Sequence, residues 1–470
     1  MSFFNTLAAR TTTIINRIAE EVFDLGRIDP EVSRSIVDRC LEAYHGTPDW
    51  ILPNSPEQSV NFTKTICEEL ARLATMNIKV NVDGSARAEW LNEQIHLSDR
   101  QYRRWVELGC ASGLVIVKPN GTTIDLYLPN QYLVVNAIAD EITEIVFQDV
   151  QKVRDIYYTK LEYHKRADGK YTVQNRCFVS KSKGNIGDPI DIKETPWNGL
   201  AEDVLIENVD RNLFGSFFMP SVNNDDLDSC VGLPIVSNCL FELEGLDKAF
   251  YLLKDEIDDS QRIVMLDSDR LMYGAVSDSV LTSFQQAQQV VEMSGLPKYV
   301  KLVEGTTSID NEVYHEINPN LNTETRIKGI NNYLSQIGFK VGFSNGYFVF
   351  DQKTGMITAT QVESDDRRTI QTINDIRRQF RACVDGLIYA LNAFADAYNL
   401  APRGEYEIAY EFDDITLNEE EDRARWYGYV QANHVPFWYY LVKFEGYSED
   451  EAKELEALVR VSEPLYPEEE

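Results

Sequence analysis

Apolar positions spaced three and four residues apart run through the first 112 residues and predict helices. Within 4–23 they are Leu7, Ile14, Ile15, Ile18, Val22 and Phe23. Asp29 followed by Pro30 supplies an N-cap and a first helical residue for a second helix, which reaches about Tyr44. Ser55, Pro56 and Glu57 repeat that signal and predict a helix from there through Ile66, Leu70 and Leu73. Ser98 and Asp99 open another, through Trp105 and Leu108 to Gly109. The period then drops to two. Residues 114–117 and 122–128 flank Pro119, Asn120 and Gly121, which predicts a hairpin. Residues 157–165 and 171–179 flank an Asp-Gly turn and predict a second. Between 180 and 230, Gly, Asn, Asp and Pro predict surface loops.

Helical spacing returns near Leu233, and Leu240, Leu243, Leu246, Phe250 and Leu253 form one stripe. Residues 262–318 are mixed, with a helix predicted at 281–293 and a strand at 299–303. Another helix is expected over 322–337, with Ile330 and Leu334 on its apolar side. Residues 338–360 are rich in glycine and aromatics. The longest periodic stretch, 361–398, carries Ile370, Ile373, Ile376, Phe380, Cys383, Leu387, Leu391 and Phe394. At about 1.5 Å per residue it can cross a whole domain. The tail, 405–470, holds 19 acids and 5 basic residues, yet Trp426, Tyr427, Phe437, Trp438 and Phe444 predict short acidic helices on a small apolar core. The expected class is mixed α+β.

Charge narrows the function. The 470 residues carry a net charge of −31, which argues against a basic DNA-binding protein, because neutralising phosphates takes clustered cations. Seven cysteines without a CxxC spacing read as reduced thiols and not as a zinc site. The start lacks the charged and apolar regions of a secretory signal, and no apolar run reaches transmembrane length, so synthesis in a cytoplasm and no membrane partner are expected. The five histidines share no helical turn. GxxxxGK[ST] and GxGxxG are missing and no GxSxG forms an elbow between a strand and a helix, so a motor driven by ATP would have to be a separate protein. No cofactor and no metal are expected. Paired carboxylates such as Asp225 and Asp226 could perform acid–base chemistry, though an acid-rich chain acquires such pairs by chance. The aromatics between 100 and 180 do not alternate with basic residues and read as core. Arg367, Arg368, Arg377, Arg378 and Arg381 cluster on the long helix near Glu363, Asp365, Asp366, Asp375 and Asp385. Ion pairs are the plain expectation for them and phosphate contacts the sharper one.

Several stretches, taken in order, resemble one family. Tyr158 to His164 with Gly169 to Asn175 is similar to a wing hairpin. Leu213 and Phe214 through Pro220, Asn223 and Asn224 are similar to an approach to a stem. Val231, Gly232, Leu233, Pro234 and Ile235, with Leu246 and Asp247 beyond, are similar to a first stem helix. Phe348, Phe350, Asp351, Thr354, Gly355, Thr358, Ala359, Thr360, Gln361 and Val362 are similar to the segment before a long helix. Over about residues 100–460 the chain resembles the portal (head–tail connector) proteins of tailed bacteriophages, specifically the acidic portals of siphophages of Gram-positive hosts. It departs from them at Gln361, where an acid is frequent, and at Leu233, where a small polar residue is expected.

The resemblance implies a non-enzymatic ring, commonly of twelve subunits, in the virion at one capsid vertex. It would be assembled in the host cytoplasm and would pass double-stranded DNA during packaging and ejection. Implied partners are further copies of the chain, the terminase large subunit, major capsid and scaffolding proteins and a head–tail adaptor; initiation of procapsid assembly is also implied. By position, 1–230 would be wing, 231–261 the first stem helix, 262–318 a small α/β clip, 319–337 the second stem helix, 338–362 a tunnel loop, 363–404 a long wing helix and 405–470 a helical crown. Phe339, Phe343, Asn345, Tyr347, Phe348, Phe350 and Lys353 would belong to the tunnel loop, as bulky tips or a packed base. Leu240, Leu243, Leu246, Phe250, Leu253, Ile330 and Leu334 would make stem and subunit contacts. An acidic wall suits such a channel, since each phosphate held by a cation must be released at every step. Two other classes stay open: a different structural adaptor or minor capsid protein of a phage-like particle, and an acidic hydrolase.

Overall fold

The computed structural model describes residues 17–25, 34–121, 123–138, 141–167, 169–207, 209–227, 229, 231–259, 263–267, 300–303, 314–317, 322–344, 346–349, 359–412, 419–432 and 434–461. The chain is mixed α+β. Helices α1 (Arg34–Tyr44), α2 (Phe62–Ala74), α3 (Ala86–His96) and α4 (Tyr102–Ser112) precede the first hairpin, and strand β1 (Lys79–Asp83) lies between α2 and α3. Of the first expected helix, 17–22 is helical and Phe23 lies in the turn after it; 4–16 and the Asp29–Pro30 cap lie outside the described residues.

Helix α2 starts at Phe62, not at the Ser-Pro-Glu signal. Side chains take the backbone N–H groups that a helix would otherwise use. Ser55 Oγ accepts from Glu57 N, Ser59 Oγ from Asn61 N, and Asp247 Oδ1 from Val60 N. Asn61 then turns the chain through a left-handed conformation, with φ 51°.

The hairpin pattern holds in detail. Strands β2 (Leu114–Asn120) and β3 (Thr123–Tyr127) pair around Gly121, and β10 (Gly215–Phe218) adds on the other side of β2. Strands β4 (Tyr132–Ile138), β5 (Glu141–Val153), β6 (Ile156–Ala167), β7 (Lys170–Ser180) and β8 (Asp188–Ile190) form an antiparallel sheet in sequence order, and β9 (Asp203–Glu207) also pairs with β7. The 180–230 region therefore contributes three short strands where loops were expected. Each is 3–5 residues long, too short for a period-two signal to stand out.

Helix α5 (Leu240–Asp259) leads to β11 (Ile263–Asp267), β12 (Val300–Val303) and β13 (Tyr314–Ile317). Strands β11 and β12 pair in parallel, and β11 and β13 antiparallel. The helix expected at 281–293 lies outside the described residues. Helix α6 (Thr323–Lys340) returns, and α7 (Ala359–Tyr398) follows. Strand β14 (Glu407–Glu411) pairs with β1. Residues 407–411, placed by the resemblance in the crown, are thus tied to the strand between α2 and α3. The tail forms α8 (Glu419–Gln431), α9 (Phe437–Glu445) and α10 (Glu449–Val461). There the Trp426 ring packs on Tyr439 at 5.6 Å, with Lys443 Nζ 3.9 Å above it.

Helix α7 runs through the main core. Ile373, Ile376, Phe380, Cys383, Leu387 and Leu391 are buried against residues of α2, α3, α4, β2 and β10. Strand β10 reaches this helix only because it carries glycine. A Cβ on Gly215 would stand 2.1 Å from Cys383 O, and one on Gly386 would stand 3.1 Å from Gly215 Cα. Gly215→Ala is therefore expected to force the strand off the helix and cost about 1–3 kcal/mol, the usual range for overpacking. The midpoint of chemical denaturation measures this; an unchanged midpoint would show that the two backbones can separate freely.

Candidate functional site

The segments that resemble stem and tunnel form one continuous assembly. Helices α5 and α6 run antiparallel. Glu242 near the start of α5 meets Lys340 at the end of α6 at 2.6 Å, and Glu256 near the end of α5 meets Arg326 at 2.7 Å. The helices approach closely at Gly245, where a Cβ would stand 2.5 Å from the Tyr333 ring. Asp247 joins α5 to the N-terminal helices by accepting from Trp50 Nε1 at 3.0 Å and from Val60 N at 2.8 Å. Burial raises its pKa above the ordinary aspartate value.

The apolar stripe on this pair is largely used inside the chain. Leu243, Leu246, Ile330 and Leu334 are buried in the main core, and Leu240, Phe250 and Leu253 pack on its edge. What the pair leaves exposed is different: Phe241 at 78% and Ile257 at 50%. The first helix also begins later than the expected 231. Residues 231–236 lie against the end of α4, with Ile235 N donating to Cys110 O, and a Cβ on Gly113 would stand 2.1 Å from Gly232 O.

The second helix continues to Lys340, so Gly338 and Phe339, expected in a loop, form its last turn. Phe339 is 57% exposed and lies under the Arg368 guanidinium at 3.8 Å, while Arg368 Nη2 donates to Phe339 O. Beyond Lys340 the described residues pack on the core. Phe343 is fully buried, with Tyr347 and Phe348 rings 4.6 and 4.7 Å away, and Phe348 packs on Phe62 at 5.1 Å. Ser344 N donates to Thr369 Oγ1, Thr372 Oγ1 donates to Gly342 O, and the Tyr347 hydroxyl donates to Glu69. Gly342 has φ +90°, and a Cβ there would stand 2.3 Å from Thr372 Oγ1. Asn345, Phe350 and Lys353 lie outside the described residues.

The arginines do not act as one cluster. Arg377 is buried, and its Nε and Nη2 donate to Ala74 O and Leu73 O, the free carbonyls at the end of α2. This placement removes Arg377 from the phosphate-contact set. Arg381 stacks on Phe412 at 4.6 Å, and Arg378 meets Asp375 at 3.4 Å. Arg367 is exposed. Asp225 and Asp226 sit in a turn where both N–H groups donate to Asn223 Oδ1.

Sequence reading missed a second constellation. Lys160, Glu162 and His164 of β6 are buried together with Lys118 of β2. Glu162 Oε1 meets Lys118 Nζ and His164 Nε2, each at 2.6 Å, and its Oε2 meets Lys160 Nζ at 2.7 Å. Lys160 also pairs with Asp149 at 3.0 Å. His164 Nδ1 lies 2.8 Å from the Tyr171 hydroxyl. Burial alone would raise the Glu162 pKa, but Lys118 and Lys160 overcome it and hold the carboxyl well below the usual range. Burial lowers the His164 pKa and outweighs its bond to Glu162. Nothing in the local sequence announces this, because alternating polar residues on a strand ordinarily mark a solvent face.

Among the described residues no cluster of three or more His, Cys, Asp or Glu side chains is arranged to hold a metal ion, and no helix is long and apolar enough to cross a membrane. Compared with known proteins, the chain matches no family model and no curated protein.

Proposed function

We propose that the chain is the subunit of a portal: a non-enzymatic ring, of twelve copies in the form the resemblance implies, at one capsid vertex. The ring is the channel for double-stranded DNA in packaging and ejection, and the docking site for a terminase motor and head–tail adaptors. One observation carries the reading. An antiparallel helix pair has its Leu240 and Lys340 end set in the core, and a small sheet is inserted in the chain at the other end. Next in the chain come a short segment whose described residues are pinned on the core and, from Ala359, a 40-residue helix through that core. This is the order in which a stem, a clip, a tunnel loop and a wing helix follow one another. Phe241, exposed on the first helix among the described residues, offers a neighbouring copy apolar surface. A net charge of −31 suits a wall that must let a polyanion slide.

Negative-stain electron microscopy and light scattering of the full chain are expected to show rings with a central hole. Only solitary compact particles, in every solution condition, would overturn the reading. Of the expected tunnel segment, residues 343, 344, 347 and 348 pack on α2 and α7. Shortening the 338–360 segment is expected to leave ring assembly intact and to abolish DNA packaging; unchanged packaging would refute the tunnel-loop assignment.

A further inference from the structure

Among the described residues the six-strand sheet has open edges at β4, at β5 beyond the reach of β4, at β8 and at β9. An unpaired edge invites another strand, and proteins usually guard it with a proline, a bulge or a charge. Strand β8 carries Pro189, and β4 shifts register between Val134 and Ala137. Residues 149–153 of β5 and 203–207 of β9 have neither guard, for they hold no proline and their pairings with β6 and β7 are unbroken. Both stretches present apolar side chains to solvent, with Val150 53% and Leu205 55% exposed. Their charges are of opposite sign. Lys152 and Arg154 outnumber Asp155 at the first, while Glu202, Asp203 and Glu207 make the second acidic. Such edges repel their own kind and attract each other.

The backbone at both edges is aimed to pair. Along an antiparallel strand, residues alternate between bonding one neighbour and the other. Gln148 N donates away from β6, to Gln131 O, so Val150 and Lys152 also turn their N–H and C=O groups to the open side. Glu202 O accepts from Asn175 N of β7, so Asp203 and Leu205 turn theirs away from β7. The side chains match as well. Val150 and Lys152 stand opposite Thr159 and Tyr157, and Asp203 and Leu205 opposite Gln174 and Thr172. Gln174 in turn stands opposite Tyr163, which puts all four edge residues on one face of the sheet. Three antiparallel steps separate β5 from β9, so the two strands run in opposite directions. Brought side by side from two copies, they form an antiparallel pair.

We propose that β9 of one copy adds to β5 of the next and continues the sheet from subunit to subunit, with Val150 opposite Leu205 and Lys152 opposite Asp203. The proposal deepens the ring reading and rests on it, because a contact between two different edges leaves one of each open until a ring closes. Lys152 lies 3.9 Å from Asp155 and Asp203 lies 3.0 Å from Arg176 in their own chains, so the backbone bonds and the apolar pair carry most of the contact. Val150→Cys and Leu205→Cys in the same chain stand at least about 14 Å apart within one copy, too far to bridge. Oxidation of this full-length double variant by copper phenanthroline is expected to give a series of covalent multimers on a denaturing gel. Either single variant should stop at a dimer, and so should the wild-type chain, whose described cysteines are all buried. Val150→Pro removes an outward N–H and leaves the bonds to β6 untouched. It should keep the wild-type thermal midpoint and raise the concentration of half-assembly about tenfold or more. Rings in micrographs of the double variant with no multimer beyond the dimer, or a Val150→Pro chain that assembles like the wild type, would overturn the edge pairing and leave the ring reading standing. Solitary wild-type particles in every condition would overturn both.

Discussion

Glu162→Leu is expected to lower the stability of the chain by about 3–5 kcal/mol, the cost of leaving one side of a buried ion pair unmatched. The carboxylate is the hub for Lys118 and Lys160, and both ammonium groups are almost wholly buried. Without it Lys160 keeps Asp149, but among the described residues Lys118 keeps the faces of Phe147 and Tyr127, at 4.7 and 5.3 Å from its Nζ. Chemical denaturation measures the loss. Replacing Glu162 and Lys118 together with leucine and methionine should recover most of it, because the unpaired charge leaves with its partner. A double variant as unstable as the single one would place the cost in packing and not in charge.

The same hub sets an acid limit on stability. The folded state holds His164 neutral, with a pKa below the ordinary 6.5. The unfolded chain therefore takes up this proton first, so the stability it contributes is complete above pH 6.5 and is lost as pH falls from there toward the folded value. The depressed carboxyl of Glu162 adds a second loss, beginning below 4.5. Denaturation midpoints should fall with acid in two stages, and His164→Gln should lack the upper stage. A midpoint independent of pH between these values in the wild-type chain would contradict the placement of His164.

Arg87→Lys is expected to be nearly as damaging as Glu162→Leu, about 3–5 kcal/mol, although it keeps the charge. The Arg87 guanidinium is buried in α3 and donates five hydrogen bonds. They run to Pro402 O at 2.9 Å, Asn392 O at 3.0 Å, Asn392 Oδ1 at 2.9 Å, Asp396 Oδ1 at 2.8 Å and Ala401 O at 2.7 Å. These bonds hold the end of α7 and the turn that carries the chain back to pair β14 with β1. A lysine has three donors on one atom and cannot span five backbone and side-chain acceptors on four residues. The loss should appear in denaturation and, selectively, as faster amide exchange in 407–411. An exchange rate there equal to that of the wild-type chain would show that the β1–β14 pairing does not need the arginine.

Arg87 and Glu162 mark the limit of what local pattern reveals. Helix α7 was legible because a three-and-four spacing sustained over some thirty residues cannot arise from a strand, and both hairpins because their turn residues permit what the pairing demands. The stem-like stripe was legible as apolar, but its partner was not. Leu243 and Leu334 face the chain's own core, while Phe241, which broke the pattern, is the exposed side chain. The arginines on α7 look alike in sequence, yet one closes the end of α2, one stacks on Phe339 and one pairs with Asp375. Helix starts moved wherever a distant residue intervened. Asp247, almost two hundred positions away, holds the residues just before α2, and contact with α4 delays the start of α5.

By itself the amino-acid order determined the types of the long elements, the acidic character and the apolar faces, because these follow from the spacing and chemistry of near neighbours along the chain. Tertiary structure alone decided that the polar face of β6 is buried and paired and that β14 closes on β1. Those outcomes depend on residues far apart in sequence whose charges, carbonyls and missing side chains meet only after folding, and no local period records them.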